Sequence, residues 1–471
     1  MVFNSIPFIL FIVIFLLLWP LFNKKNKSRW LFLTIASLFF YGWWDWRFLF
    51  LIIGSGLIDF FAGLLIPKSK HKKLILIGSL LVNLGALSIF KYSVFFASIL
   101  EQFLLVFDLH IDLKSKIPEF ALILPVGISF YTFQSMSYTI DIYRERLKPT
   151  KNIFHFFSFL TMFPQLVAGP IVRAKDLLKQ LNQERKASDI QKWNGIKLFV
   201  FGLFQKTVLA DNIGEMVNKA YSLNDVSEYG IYWWIILVGF AFQIYCDFSG
   251  YSLMARGIAK YMGYHFKMNF NHPYLATSFK SFWQRWHISL STWFRDYVYI
   301  PLGGSRKGLV FGIIAMTLTM LLSGLWHGAG LTFIIWGFLH ALYLAVERLF
   351  KFNKRMKANY FIQIMYSFIV FFAVVYAWNF FRAESISQAL KINQELLSLS
   401  GDWVFYDKFF NSLFFLILAV LIELTILILR KNPAINIKLR LYNIDIIMVS
   451  LAAVSSLFLR GVESEFIYFQ F

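Results

Sequence analysis

Two histidines, His327 and His287, lie in apolar parts of this sequence, where an ionisable side chain is costly. His327 occurs in the string LLSGLWHGAGLTF (residues 321–333), inside a run without formal charge that extends from residue 308 to residue 346. That run is long enough for two membrane-spanning helices of about 20 residues each. Three glycines flank His327, namely Gly324, Gly328 and Gly330. They predict a turn or close packing there. A titratable imidazole at such a break indicates a catalytic element, and a histidine that only hydrogen-bonds between helices is the alternative.

The second histidine, His287, lies in an aromatic-rich stretch, SFKSFWQRWHISLSTWFRDYVYIPLGG, at residues 278–304. Helical spacing predicts one continuous helix here, with a polar stripe and an aromatic flank. The stripe holds four residues at intervals of four: Trp283, His287, Ser291 and Arg295. Such neighbours would set the tautomer of His287 and move its pKa from about 6.5, which favours a functional histidine. The alternative is an interfacial amphipathic helix with tryptophans at the headgroups.

Further polar side chains occur in other motifs and beside the two histidines. Asp247 lies in the string YCDFSGYS, and Asn271 lies in the string MNFNHPY. Gln165 lies between two prolines in FPQLVAGPIVRAKDLLKQL (residues 163–181), whose amphipathic remainder also fits a lipid-binding surface helix. We expect eight residues to bind substrate or donor: Arg285, Trp286, Ser291, Arg295, Asn271, Asp247, Trp326 and Gln165.

The composition is that of a membrane protein. Of the 471 residues, 58% are hydrophobic and 15% are charged, and the mean hydropathy is +0.60, whereas a soluble protein is about a quarter charged. Recurrent uncharged runs predict an all-α, polytopic membrane protein of roughly 10–12 transmembrane helices. We expect residues 1–471 to form a single domain, with the core motifs in residues 163–333. Pro125 and Gly127 predict a re-entrant hairpin within residues 120–140.

The net charge of +20 is distributed as short basic clusters between apolar runs, for example at residues 24–29 and 68–73. This pattern is typical of cytoplasmic loops beside anionic lipid and does not indicate nucleic-acid binding. The single cysteine, Cys246, excludes an internal disulfide and a cysteine-based metal site. The sequence has no GxxxxGK[ST], GxSxG or HExxH motif, so we expect no Walker ATPase, no bound metal and no bound cofactor.

The chain resembles the membrane-bound O-acyltransferases, in particular the branch that includes the alginate O-acetylation protein and the peptidoglycan O-acetyltransferase. The matching strings are FPQLVAGPIVR (163–173), DFSGYS (247–252), NFNHPY (269–274), FWQRWHISLSTWFRDYVYIPLGG (282–304) and GLWHGA (324–329). FFRA at residues 380–383 and the terminal FIYFQF at residues 466–471 are also similar to this branch. The resemblance extends over nearly the whole chain.

The resemblance implies a fold, two site residues and partners. The fold would be a helical ring around a funnel, with the donor entering from the cytoplasm and the acceptor from the other side. His327 matches the histidine regarded as catalytic in the family, and His287 matches a second polar position. The donor would be acetyl-CoA, directly or through a carrier. The acceptor would be a secreted SGNH-type acetyltransferase or a polysaccharide, and the location a bacterial inner membrane.

These observations favour an acetyltransferase in which His327 removes a proton from an acceptor hydroxyl. A transient acetyl-histidine is a variant of that chemistry, and His287 with Arg285 would orient the donor or stabilise developing negative charge. The alternatives are D-alanyl or other acyl transfer to an envelope polymer, and a proton-coupled transporter or flippase with the histidines as a relay. We expect both histidines to face one cavity that opens near Arg306 and Lys307.

Overall fold

The structure, a computed structural model, describes residues 1–167, 169–222, 230–352, 359–398, 408–431 and 444–467. All regular elements within these ranges are helices, which confirms the all-α prediction. The end of the terminal FIYFQF string, residues 468–471, lies outside the described residues, as do most residues of two further basic clusters in the sequence, at 351–357 and 430–440.

Seven helices in the described ranges are long and apolar enough to cross a membrane. They are Phe48–Lys68, Lys72–Leu105, Gly230–Tyr261, Leu309–His327, Leu331–Leu349, Phe361–Arg382 and Phe409–Leu429. Two shorter apolar helices, Ile6–Phe22 and Ile444–Phe458, accompany them. The protein is therefore polytopic, as predicted. Other apolar stretches that contributed to the expected 10–12 crossings form shorter buried helices, such as Ile128–Tyr143.

The chain divides into two compact units, Met1–Gly195 with Ala255–Lys267 and Ile196–Met254 with Met268–Phe471. The single-domain expectation stays a prediction. Besides the helices named above, the described elements are Asn26–Gly42, Glu119–Leu122, Ile153–Leu160, Phe163–Leu166, Ala174–Leu181, Asp189–Phe204, Asp211–Ser222, Phe279–Trp283, Ile288–Phe294 and Ile386–Glu395. Single turns of π-helix occur at Ser88–Tyr92, Gln205–Ala210 and Arg295–Tyr299, and 3₁₀ turns at Ile66–Lys68, Lys114–Lys116, Pro273–Leu275 and Gly304–Lys307.

In the first unit, a buried carboxylate joins three membrane-spanning or buried helices. Asp59, on the helix Phe48–Leu65, is fully buried. The amide of Asn83 donates to both of its oxygens, at 3.0 and 2.9 Å, and the hydroxyls of Ser79 and Ser135 also donate to it. These partners come from the helices Lys72–Leu87 and Ile128–Tyr143, so the carboxylate holds the three helices together.

The re-entrant hairpin expected at residues 120–140 is wrong. A four-residue helix ends at Leu122, and one continuous helix, Ile128–Tyr143, follows. Gly127 makes the turn between them with φ of 75°, a conformation in which glycine lacks the Cβ clash of other residues. Every residue from Ile128 to Ile142 is buried, so this segment is a core helix of its unit, and its polar side chains meet partners such as Asp59.

In the second unit, the helices Leu309–His327 and Leu331–Leu349 form a tight antiparallel pair. A Cβ on Gly324 would lie 2.2 Å from the carbonyl oxygen of Phe333, and one on Gly337 would lie 2.5 Å from that of Met320. Only glycine fits at these two crossing points, because the two backbones are in contact there. The close packing predicted beside His327 is therefore present, and it places His327 at the last position of its helix.

Candidate functional site

The predicted continuous helix around His287 is broken in the structure. One helix ends at Trp283, another begins at Ile288, and His287 between them adopts a left-handed conformation with φ of 39°. Residues of the NFNHPY string cause the break. The amide of Asn271 donates to the carbonyl of Arg285 at 2.9 Å, and the amide of Ile288 donates to the carbonyl of Asn269 at 2.8 Å. These bonds engage groups that a continuous helix would have paired internally.

The side chain of Asn269 determines the orientation of His287. Its Oδ1 lies 3.2 Å from Nδ1 of His287 and also accepts bonds from the amide of Ser289 at 3.1 Å and the hydroxyl of Ser289 at 2.9 Å. An acceptor at Nδ1 assigns the ring hydrogen to that nitrogen, so Nε2 of the neutral ring carries the lone pair. Burial lowers the pKa of His287 to about 3, which keeps the ring neutral at ordinary pH.

His327 lies beside His287, with 6.4 Å between the ring centroids. It is 2% exposed, and its ring contacts those of Trp326, Trp336 and Phe381 at 5.0–5.3 Å. The glycine-flanked connection, residues 328–330, separates its helix from the next. Two buried imidazoles thus meet where two separate stretches of regular helix end, in surroundings made almost entirely of aromatic rings.

A cavity of about 710 Å³ lies next to this pair. On the helix Leu309–His327 it is lined by Met316, Met320 and Ser323, the face that reaches His327 one turn later. On the broken segment its wall includes Ile288, the residue after His287. The cavity therefore ends against neighbours of both histidines. Neither imidazole belongs to the lining of this cavity, and the expectation that both face one cavity stays a prediction.

The cavity has a basic mouth. Four cationic side chains line it: Lys280, Arg295, Arg348 and Lys351. The one carboxylate in its lining, Glu347, accepts hydrogen bonds from the amides of Phe279 and Lys280, at 2.6 and 3.1 Å, and from Tyr366 at 3.0 Å. Arg306 and Lys307, expected at the opening, are exposed and lie outside this lining, although the neighbouring Ser305 belongs to it.

The structure brings together most of the predicted binding residues. Ser291 and Arg295 line the cavity, and Trp326 contacts both histidines, at 5.0 Å from His327 and 6.0 Å from His287. Arg285 donates through Nη1 to the carbonyl of Asn271 at 3.2 Å, so this pair holds the break in place.

The other three predicted residues have different surroundings. Trp286 is fully buried against Trp378, at 5.0 Å between centroids. Asp247 forms a buried ion pair with Lys206 at 2.9 Å and accepts a bond from the amide of Ile467 at 2.8 Å. Gln165 belongs to the first unit, where its Nε2 donates to the carbonyl of Phe159 at 2.8 Å.

Three residues of this region are absent from the predicted set. Asn269, which orients His287, stands in the same string as Asn271, but the sequence does not show which amide points inward. Glu347 is the first acidic residue after the long uncharged run, and this position is the one signal in the sequence that marks it. His340 is fully buried thirteen positions after His327 and belongs to none of the motifs that the sequence analysis singles out.

The chain matches a known protein family and several named relatives. The model of the MBOAT, membrane-bound O-acyltransferase, family matches residues 143–388. A Pseudomonas aeruginosa protein named "Probable alginate O-acetylase AlgI" is 38% identical over 408 residues, which are 86% of this chain and 76% of that protein. The peptidoglycan O-acetyltransferase of Helicobacter pylori is 37% identical over 81% of this chain and 75% of its own.

A more distant relative is the teichoic acid D-alanyltransferase of Bacillus subtilis. It is 29% identical over 57% of this chain and 71% of its own length. The family match, the two relatives of high coverage and the all-helical polytopic structure agree with one another. The protein is an O-acyltransferase enzyme, and the chain belongs to the membrane-bound O-acyltransferase family.

Proposed function

We propose that the protein transfers an acetyl group from a cytoplasmic thioester, acetyl-CoA, towards a hydroxyl group of a cell-envelope polysaccharide. The observation that carries the proposal is the pair of buried histidines whose chain neighbours, Ile288 and Ser323, line a cavity with a basic mouth. Lys280, Arg295, Arg348 and Lys351 outnumber the one carboxylate of the lining, Glu347, so the mouth carries a net positive charge, although Arg295 also pairs with Asp296 at 2.8 Å. A positive mouth attracts the phosphates of a CoA-type donor.

In the proposed reaction, His327 acts as general base. It removes the proton from an acceptor hydroxyl, and the oxygen attacks the thioester carbonyl. The tetrahedral intermediate collapses by breaking the carbon–sulfur bond, and the protonated imidazole returns its proton to the leaving thiolate. Such proton transfer contributes about 10²–10⁴-fold to a rate. His287 positions the reacting groups through Nε2, since Asn269 engages its Nδ1.

The nature of the acceptor is proposed from the relatives. The two relatives that cover most of this chain are named for O-acetylation of alginate and of peptidoglycan, whereas the D-alanyltransferase matches 57% of it. We therefore rank an acetylated polysaccharide above a D-alanylated polymer, with a secreted SGNH-type acetyltransferase as the carrier in between. An inner bacterial membrane fits this acceptor. Membership of an enzyme family ranks the transporter hypothesis below acyl transfer.

The test uses purified protein in lipid nanodiscs with radiolabelled acetyl-CoA. The wild-type protein is expected to release labelled acetate or to label an added polysaccharide, and His327→Ala is expected to lose this activity by at least about 10²-fold. His71→Ala, a change at an exposed histidine of the first unit, is the matched control and should be unchanged. A wild-type protein that neither cleaves nor transfers from acetyl-CoA would refute this donor.

A further inference from the structure

A third buried histidine, His340, has no role in the proposed mechanism. It lies on the helix Leu331–Leu349, is fully buried, and contacts the rings of Trp336 at 4.8 Å and Trp283 at 5.1 Å. Among the residues that the structure describes, neither of its ring nitrogens has a hydrogen-bond partner. Burial of a polar group without a hydrogen-bond partner costs folding free energy, so such a group usually has a functional or structural reason.

The tryptophans around His340 also have buried ring nitrogens without a hydrogen-bond partner in the described chain. The indole nitrogens of four tryptophans are buried and find no acceptor within the described chain: Trp283, Trp286, Trp336 and Trp378. Their rings touch in sequence, Trp283 with Trp336 at 5.8 Å, Trp336 with Trp378 at 5.6 Å, and Trp378 with Trp286 at 5.0 Å. These four residues and His340 form one group, which we call the His340 cluster.

The His340 cluster connects the cavity with the catalytic pair. Trp283 lines the cavity, as does Leu344, which lies one helical turn after His340. On the other side, the ring of Trp336 lies 5.2 Å from that of His327. A line of ring contacts therefore joins the cavity lining to His327 through groups whose hydrogen-bonding capacity is unmet within the described chain.

The indole and imidazole nitrogens of the His340 cluster determine which kind of ligand can hydrogen-bond to it. An indole N–H is a donor only, and a neutral imidazole has one donor and one acceptor, so the complementary molecule must be rich in acceptors. Carbonyl oxygens on a slender chain meet that need. The arm of a CoA-type donor carries two amides and ends in a thioester, with a carbonyl in each group.

We propose that the His340 cluster is a binding subsite for the carbonyl groups of the donor arm, with His340 pairing an arm amide. This inference deepens the proposed function and rests on its thioester donor. It makes His340 a residue that determines specificity for amide-containing donors, rather than a participant in proton transfer.

The test compares acetyl donors that differ in their number of amides. Acetyl-CoA and S-acetylpantetheine carry two, S-acetyl-N-acetylcysteamine carries one, and S-ethyl thioacetate carries none. His340→Phe keeps a ring in the aromatic packing and removes both nitrogens. It is expected to lower kcat/KM for the two-amide donors by roughly tenfold, mainly through KM. The value of kcat/KM for S-ethyl thioacetate should stay within about twofold of wild type. His340→Gln should recover part of the loss, because its amide also donates and accepts.

A matched control is available for the tryptophans. Trp283→Phe removes one indole N–H of the cluster and should lower kcat/KM for the same two-amide donors. Trp233→Phe removes an equally buried indole N–H that lies outside the cluster, against Tyr221 and Tyr232. This variant should leave kcat/KM unchanged for every donor. Equal loss with every donor in His340→Phe would overturn the proposal, because it would indicate a packing defect.

A binding measurement separates this inference from the proposed function. Pantetheine itself, titrated into the nanodisc protein by calorimetry, should bind to the wild type and bind more weakly to His340→Phe. That result would support the subsite even if acetyl-CoA were not the donor. Absence of pantetheine binding to the wild type, or equal binding to both proteins, would overturn the subsite and leave the roles of His327 and His287 to their own test.

Discussion

The buried carboxylate of the first unit and the buried histidines of the second both place polar groups in apolar surroundings, and they differ in how those groups are satisfied. Each oxygen of Asp59 receives two hydrogen bonds, and the residue lies within a regular helix. His287 lies at a break with φ of 39°, and the ring nitrogens of His340 have no hydrogen-bond partner within the described chain.

This difference indicates what each region does. A fully bonded carboxylate has little capacity left for a substrate, so its contribution is to hold helices together. A non-glycine residue in the left-handed region is disfavoured by roughly 1–3 kcal/mol and persists only where surrounding contacts compensate. Strain at His287 and unmet donors beside it are typical of a site that binds and transforms a ligand.

The largest effect is expected for His327→Asn. Asparagine donates and accepts hydrogen bonds but does not take a proton at neutral pH, so acetyl transfer should fall by at least about 10²-fold while the amount of folded protein stays close to wild type. The measurement is O-acetyl release from the cell's polysaccharide, with membrane levels matched by blotting. Activity above about a tenth of wild type would contradict a general base at this position.

Asp59→Ala should give the opposite pattern. It removes the shared acceptor of Asn83, Ser79 and Ser135; Asn83 keeps its bond to the carbonyl of Ser79, and a donor left without any partner costs about 1–3 kcal/mol before relaxation. The melting temperature in detergent should therefore fall, while acetyl transfer per folded molecule should stay within about twofold of wild type. Ser98→Ala, which removes a single local hydrogen bond on an exposed surface, is the control.

An unchanged melting temperature in Asp59→Ala, together with a loss of turnover, would contradict a purely structural role for Asp59. Such a result would assign chemistry to the first unit. A parallel loss in both properties would be separated by measuring turnover at several temperatures, since a folding defect recovers on cooling and a missing catalytic group does not.

A smaller effect is expected at His287, where side chain and backbone contribute separately. Asparagine tolerates the left-handed conformation better than alanine does and can still hydrogen-bond. His287→Asn should therefore keep more activity than His287→Ala, by roughly tenfold, and also more than His327→Asn. If both substitutions at His287 lost as much activity as His327→Asn, the two histidines would act as a coupled pair.

The sequence predicts local features of this site and misses distant ones. The uncharged runs and the glycines around His327 predict its buried helix end, because both signals lie within a few residues of it. Helical spacing predicts a continuous helix through His287 and misses the break, because its cause is a set of hydrogen bonds with Asn269 and Asn271, about 16 to 18 positions earlier. The engagement of Asp247 by Lys206 likewise depends on a partner 41 positions away in the chain.

The smallest effect is a shift in pH dependence for Asn269→Asp. The aspartate keeps an acceptor for Nδ1 of His287 and for Ser289, so the break should survive. Its negative charge would stabilise the imidazolium and raise the pKa of His287 from the value of about 3 that burial gives it. A raised pKa means that the ring becomes protonated as the pH falls, and a protonated ring has no lone pair at Nε2.

The variant should therefore keep most activity at pH 8 and lose activity towards pH 5, where the wild-type ring remains neutral. The measurement is kcat/KM from pH 5 to pH 9 for both proteins. Superimposable profiles would show that the protonation state of His287 does not limit the reaction, and they would restrict its role to holding the backbone break beside His327.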